Sequence, residues 1–126
     1  MDKKILVVDD DPNIMKLLTF RLSAEGYNVV TASDGQEALD KVRQEKPDLI
    51  ILDITLPLLD GYQVCSTLRA DEQYKYIPVV MLTASKEMKE IAVGLESGAV
   101  AYIQKPFKAD VLLGIIKGFI NGARPG

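Results

Sequence analysis

The sequence has 126 residues, and none of them is histidine. This absence excludes Ser–His–Asp and Cys–His nucleophiles within the chain, zinc sites with histidine ligands, and a histidine proton shuttle. The one cysteine, Cys65, cannot form an internal disulfide bond, which suits a reducing compartment. Function classes that depend on imidazole or on a disulfide framework are therefore excluded.

Long apolar runs and an excess of basic residues are also missing. No apolar run approaches the roughly 20 residues that a membrane-spanning helix needs. Only four apolar residues follow the N-terminal Met1-Asp2-Lys3-Lys4, too few for the core of a signal peptide. Lys and Arg number 15 against 18 Asp and Glu, so no nucleic-acid-binding surface is predicted. We expect a cytoplasmic protein with no membrane contact.

Five short apolar runs alternate with helical patterns along the chain. The runs are mostly continuous and rich in Val and Ile, which is typical of parallel strands covered on both faces. They predict an α/β fold, a doubly wound five-stranded parallel sheet of flavodoxin-like (βα)5 type with strand order 2-1-3-4-5. We expect one domain over residues 1–121 and a tail or linker stub over 122–126. The five runs are Ile5–Val8, Val29–Ala32 (predicted at a sheet edge), Leu49–Leu52, Val79–Leu82 and Val100–Ile103.

Capping residues indicate where the helices begin. An aspartate followed by proline, Asp11-Pro12, is the expected start of the first helix. The next helices are predicted to begin at Ser33 or Asp34, after Asp60-Gly61, and near Ser85. The fifth helix is predicted from about Asp110 to Ile120, with an apolar stripe of Val111, Leu112, Ile115, Ile116 and Phe119 that Leu113 and Ile120 widen. So wide a stripe fits either a broader buried face or an exposed patch for a partner.

Polar residues follow four of the predicted strands. In an open α/β sheet the ligand site lies outside the carboxyl ends of the strands, where the winding direction changes. Asp9 and Asp10 end the first strand and Asp53 ends the third, and these two strands are neighbours in the predicted order. Thr83 and Lys105 follow the next two strands along the same edge.

Three clustered carboxylates repel one another, and a hard divalent cation relieves that repulsion. Mg²⁺ prefers oxygen ligands and is often shared with phosphate. An added hydroxyl from Thr83 and an ammonium from Lys105 complete a phosphoryl-binding pocket, in which one carboxylate can act as nucleophile.

With these residues in place, the sequence resembles the response-regulator receiver domains of two-component signalling, which include chemotaxis regulators. The resemblance extends from Ile5 to Ile120. It implies a phospho-accepting signalling domain, rather than a conventional enzyme, that takes a phosphoryl group from a phosphohistidine on a partner kinase. The motifs that carry it are Val7-Val8-Asp9-Asp10, Leu52-Asp53, Pro57-Leu58-Leu59-Asp60-Gly61, Thr83-Ala84 and Lys105-Pro106-Phe107.

The resemblance also implies roles for individual residues. Asp53 would be the phospho-acceptor and would share a magnesium ion with Asp9, Asp10 and the backbone carbonyl of Thr55. Lys105 would pair with the phosphoryl group and, before phosphorylation, with Asp53.

The resemblance further implies a switch between two surfaces. Thr83 would move toward the phosphoryl oxygen and Tyr102 would turn inward behind it, while Pro106 would follow a cis peptide bond. The expected partners are a sensor histidine kinase or phosphotransfer protein, and a downstream effector or attached output domain. A phosphorylation-dependent dimer through helix four, strand five and helix five is a further hypothesis.

Other interpretations of the same residues stay open. A phosphohydrolase with an aspartyl phosphate usually carries a second Asp two residues after the nucleophile, where this sequence has Thr55. A receiver-like module could bind partners without phosphorylation. Taken singly, Asp9 and Asp10 suit a turn, Lys105 suits a solvated surface, and Tyr102 suits simple packing. Flavin binding is disfavoured, because three successive aspartates after the first strand would repel a phosphate.

Overall fold

The computed structural model describes residues 3–54, 56, 59–83 and 98–121. Strands and helices alternate along these residues, except where the predicted fourth helix lies outside the described part of the chain. The strands are β1 (Lys4–Val8), β2 (Asn28–Ala32), β3 (Leu49–Asp53), β4 (Val79–Thr83) and β5 (Ala101–Gln104). The helices are α1 (Pro12–Ala24), α2 (Gly35–Glu45), α3 (Gly61–Arg69) and the C-terminal helix (Ala109–Asn121).

The five strands form one parallel sheet in the order β2-β1-β3-β4-β5, which confirms the predicted fold and topology. Every described strand pair is parallel, so each crossover returns the chain to the same end of the sheet. The central strands β1, β3 and β4 are buried along nearly their whole length, whereas β2 lies at the edge and is partly exposed. The carboxyl ends of β1, β3 and β4 therefore meet at one edge.

Two hydrophobic layers cover the sheet, because successive side chains of a strand point to opposite faces. Leu6 and Val8 of β1 join a cluster that includes α2 and α3. Ile5 and Val7 join a second cluster with α1 and the C-terminal helix. The sheet is covered on both faces, as expected for continuously apolar strands.

Side-chain caps fix the helix starts close to the site. Asp11 is the N-cap of α1, and its carboxylate accepts a hydrogen bond of 2.8 Å from the backbone N–H of Asn13. Asp60 and Gln63 form a reciprocal capping box at the start of α3, with bonds of 2.9 and 3.0 Å. These caps confirm two of the predicted helix starts.

The predicted apolar stripe of the C-terminal helix is partly wrong. Val111 is 54% exposed and Phe119 is 37% exposed, so both face away from the core. Eight apolar residues in this helix allow more than one face to look buried, and contact with α1 and the sheet determines which face is covered. The fully covered positions are Leu112, Leu113, Ile116 and Ile120.

The start of β5 also differs slightly from its prediction, since Val100 precedes the strand and is 41% exposed. None of the helices among the described residues is long and apolar enough to cross a membrane.

Candidate functional site

The site begins with the aspartates at the ends of β1 and β3. These strands are neighbours in parallel register, with Val8 opposite Leu52, so the residues that follow them emerge side by side. Asp53 is the last residue of β3, and Asp9 follows β1 directly. The backbone N–H of Asp9 donates to the carbonyl of Ala32 at 3.2 Å, which holds the end of β1 against β2.

Three carboxylates converge at this edge. One oxygen from each of Asp9, Asp10 and Asp53 lies within 4.8 Å of the others. Asp9 is fully buried, Asp53 is 5% exposed, and Asp10 lies exposed at the rim. Burial of acidic groups is costly unless other groups compensate their charge, so the cluster requires positive partners.

Both oxygens of Asp9 have a bonding partner. Its Oδ1 accepts a hydrogen bond of 2.9 Å from the backbone N–H of Asp11, and its Oδ2 accepts one of 3.1 Å from the Lys105 ammonium. The first bond is local to the turn after β1, whereas the second joins residues 96 positions apart. Asp9 is thus held rigidly between the start of α1 and the end of β5.

Lys105 bridges the two buried carboxylates of the cluster, those of Asp9 and Asp53. Its Nζ lies 3.1 Å from Asp9 Oδ2 and 3.3 Å from Asp53 Oδ2, and its side chain is only 20% exposed. Burial is the largest single influence and acts to lower the pKa of Lys105. The hydrogen bond to Asp9 and the charges of Asp53 and Asp9 together outweigh burial and raise that pKa above its ordinary value. Lys105 therefore stays charged at neutral pH.

One ammonium does not balance three carboxylates. In formal charges, Asp9, Asp10 and Asp53 contribute three negative charges, and the Lys105 ammonium contributes one positive charge. All three acidic donors are hard oxygen ligands, and they are close enough to share one ion. This donor set fits Mg²⁺, which binds oxygen ligands and retains several waters.

Thr83 and Lys105 are joined through the backbone. The Lys105 N–H donates to the Thr83 carbonyl at 2.6 Å, and Thr83 itself is 3% exposed at the end of β4. The bond between Lys105 and Pro106 is cis, as the sequence resemblance implies. Strand β4 pairs with β3, and Asp53 lies opposite Leu82, the residue before Thr83. Thr83 therefore lies at the end of β4, beside the end of β3 that carries Asp53.

Tyr102 lies further back on β5, opposite Met81 of β4. It is partly buried, and its hydroxyl lies 3.3 Å from the hydroxyl of Tyr62, near the start of α3. No sequence pattern indicated Tyr62, because a tyrosine in the first turn of a helix is unremarkable without knowledge of what it faces. Thr55, whose carbonyl was expected at the metal, lies outside the described residues.

Comparison with known proteins decides the family. The model of the response regulator receiver domain family matches residues 5–117 of the sequence. The chain belongs to this family. Over 107 residues it is 54% identical to PhoP of Bacillus subtilis, the alkaline phosphatase synthesis transcriptional regulatory protein. That alignment covers 85% of this chain and 44% of PhoP, and the chain spans about half the length of the curated relatives it matches.

Solved receiver domains have the same fold. The receiver domain of the sensor histidine kinase PA1611 from Pseudomonas aeruginosa, solved with magnesium in its active-site cleft, superposes with a TM-score of 0.88. It is 31% identical, and the match covers 97% of this chain and all of that one. The beryllofluoride-activated receiver domain of RstA from Klebsiella pneumoniae is 36% identical, with a TM-score of 0.86 and coverage of 94% and 98%.

Membership of this family establishes the general activity. The chain is a phosphoacceptor receiver domain of two-component signalling with an acidic pocket, a signalling component rather than a conventional enzyme. Of the predicted site residues, the structure brings Asp9, Asp10, Asp53 and Lys105 together and places Thr83 beside them. Because these 126 residues include no histidine, a phosphohistidine that donates to this site must belong to another chain or domain.

Proposed function

We propose that this receiver domain accepts a phosphoryl group on Asp53 from a phosphohistidine of a sensor kinase or phosphotransfer protein. A carboxylate oxygen of Asp53 attacks the phosphorus, and the bond between phosphorus and the imidazole nitrogen breaks. The electron pair of that bond stays on the imidazole of the partner, and Asp53 becomes an aspartyl phosphate. The observation that carries the proposal is the convergence of three carboxylates and one ammonium at the strand ends.

The surroundings of the three carboxylates favour Asp53 as the acceptor. Asp9 is fully buried, and both of its oxygens are engaged by Asp11 and Lys105. Asp10 lies exposed at the rim of the cluster, and its carboxylate is among the three that converge there. Asp53 ends the central strand and lies 3.3 Å from Lys105, so an attached phosphoryl group would be next to a positive charge.

Asp9, Asp10 and Asp53 would hold Mg²⁺, together with the carbonyl of Thr55. When bound, the ion would neutralise phosphoryl oxygens and part of the negative charge of the three carboxylates. The magnesium in the PA1611 receiver domain supports this assignment, as does the oxygen-only donor set of this chain.

Phosphorylation would act by shifting a population between two surfaces. Lys105 would bond to the phosphoryl group, Thr83 would donate its hydroxyl to a phosphoryl oxygen, and Tyr102 would occupy an inward position. A phosphoryl group can shift this equilibrium only by the difference in its interactions with the two states.

The output would lie in another protein or in an attached domain. The relatives named as transcriptional or DNA-binding regulators support an attached output domain, since this chain matches only about half of each. We place the domain in the cytoplasm, with residues 122–126 as a tail or linker. We also propose a phosphorylation-dependent dimer through the surface of helix four, strand five and helix five. This domain itself would not contact nucleic acid.

Incubation with Mg²⁺ and acetyl phosphate or phosphoramidate, followed by intact mass spectrometry, tests the proposal. The wild type should gain one phosphoryl group, and Asp53→Asn should gain none. Chelation with EDTA should prevent labelling of the wild type. Equal labelling of both proteins would overturn the assignment of Asp53, and no labelling by small donors or kinases would favour a binding module that works without phosphorylation.

A further inference from the structure

Two tyrosines from different elements meet through their hydroxyl groups. Tyr62 Oη of α3 and Tyr102 Oη of β5 are 3.3 Å apart, and 40 residues separate them in sequence. Both rings pack against the hydrophobic cluster on the α2 and α3 face of the sheet. A partly buried tyrosine hydroxyl usually finds a hydrogen-bond partner, because an unpaired polar group away from water is costly. This contact therefore holds the Tyr102 ring toward α3.

Tyr62 is fixed relative to Asp53 through the preceding glycine. The Gly61 N–H donates to the Ile54 carbonyl at 2.8 Å. A Cβ atom on Gly61 would lie 2.6 Å from the Asp53 carbonyl oxygen, so only glycine allows α3 to begin this close to the end of β3. The capping box at the start of α3 holds the same turn. The start of α3, which carries Tyr62, therefore packs directly against the backbone of Asp53.

Tyr102 is connected to the same aspartate from the other side. It lies three residues before Lys105 on the chain, and Lys105 Nζ is 3.3 Å from Asp53 Oδ2. Two routes thus join Asp53 and Tyr102. One runs through Ile54, the Gly61 hydrogen bond and Tyr62, and the other runs through the ion pair with Lys105 and along the chain to Tyr102.

We propose that Tyr62 is a positioning residue, whose hydroxyl holds Tyr102 in its inner position and thereby sets how readily the domain adopts its phosphorylated arrangement. This inference rests on the proposed function, in which the inward position of Tyr102 accompanies phosphorylation of Asp53. By linkage, a contact that stabilises the inward arrangement also strengthens binding of any group that favours it. Loss of the Tyr62 hydroxyl should therefore weaken binding of a phosphoryl mimic.

The test measures the affinity for beryllofluoride, which occupies an aspartate as a phosphoryl mimic, in the presence of Mg²⁺. Amide NMR titrations compare the wild type with Tyr62→Phe, Tyr102→Phe and the double variant. Each single change should weaken binding by about three- to tenfold, the effect of one net hydrogen bond. Because both changes remove the same contact, the double variant should bind no more weakly than either single variant. Tyr76→Phe is the matched control, since Tyr76 is 74% exposed, and its affinity should equal that of the wild type.

A second readout reports the position of Tyr102 directly. With ¹³C-labelled tyrosine, the Tyr102 ring signals, assigned through Tyr102→Phe, should shift in ligand-free Tyr62→Phe and stay unchanged in Tyr76→Phe. Unchanged beryllofluoride affinity in Tyr62→Phe would overturn the inference while leaving the phospho-acceptor proposal intact, as would multiplicative losses in the double variant. A wild type that does not bind beryllofluoride at Asp53 would instead overturn the proposed function, and this inference with it.

Discussion

The two ends of the sheet carry the same kinds of charged side chain in different surroundings. At the amino end, Lys4 Nζ lies 3.1 Å from a carboxylate oxygen of Glu45, and the two side chains are 31% and 36% exposed. At the carboxyl end, Lys105 lies at similar distances from Asp9 and Asp53, which are 0% and 7% exposed as side chains. The distances alone do not distinguish a structural ion pair from a functional pocket.

Burial and charge balance make the difference. Water screens an exposed pair, so the Lys4 pair contributes little to stability whether it forms or not. At the carboxyl end, more carboxylates than ammonium groups share a largely buried site, and removal of one partner leaves a charge with no compensation. The ion pair at the amino end of the sheet therefore has only a local structural role. The cluster at the carboxyl end is less stable by itself, but it can bind a cation and an anion.

The largest effect is expected when the ammonium of the pocket is removed. Lys105→Ala should lower the free energy of unfolding by about 2–4 kcal/mol in EDTA, because Asp9 and Asp53 lose their shared positive partner. Urea denaturation at pH 7 measures this loss. Since the pKa of Lys105 is raised, its stabilisation is complete below the ordinary value of 10.5 and is lost only as the pH rises through the raised value. A loss below about 1 kcal/mol would contradict the account of the pocket.

A smaller effect of mixed sign is expected at the rim of the pocket. Asp10→Asn removes one of three mutually repelling charges, so it should raise stability in EDTA by about 0.5–1 kcal/mol. The same change should weaken the response to Mg²⁺, which stabilises the wild type by about 2.7 kcal/mol when its concentration is 100 times the dissociation constant. Thermal unfolding with and without Mg²⁺ measures both parts. If Mg²⁺ stabilises Asp10→Asn as much as the wild type, Asp10 is not a metal ligand.

The smallest effect is expected at the amino end of the sheet. Lys4→Ala, the matched control for Lys105→Ala, should cost less than about 1 kcal/mol because the pair with Glu45 is partly exposed. The backbone N–H of Lys4 keeps its bond of 2.8 Å to Asp48 in this variant. Labelling by a small phosphodonor should be unchanged, as intact mass spectrometry would show. If Lys4→Ala and Lys105→Ala lower the free energy of unfolding equally, the proposed difference between the two ends of the sheet is wrong.

The fold was predictable because its signals are local and agree with one another. Continuous apolar runs indicated buried parallel strands, and Asp11-Pro12 and Asp60-Gly61 marked helix starts. The buried face of the C-terminal helix was not predictable in full, because the apolar positions outnumber those that one face can bury. Neighbouring elements, rather than the periodicity, determine that Leu113 is covered and Val111 is exposed.

From the residues alone, the candidate site was predictable to the level of strand ends, and the resemblance added the pairing of Lys105 with Asp53 and the cis bond before Pro106. The strand order brings Asp9, Asp53 and Lys105 to one edge of the sheet, whichever conformations their side chains adopt. The structure adds that the ammonium lies slightly closer to Asp9 than to Asp53. The contact between Tyr62 and Tyr102 depends on where the start of α3 lies relative to β5, and no spacing in the sequence encodes that arrangement.

The central claim, that Asp53 alone of the three clustered carboxylates accepts the phosphoryl group, can be tested by locating the modification. Borohydride reduction of the labelled protein converts an aspartyl phosphate to homoserine, and peptide mass spectrometry then identifies the position. Homoserine is expected at position 53, with Asp9 and Asp10 unmodified. Homoserine at position 9 or 10 would contradict the claim.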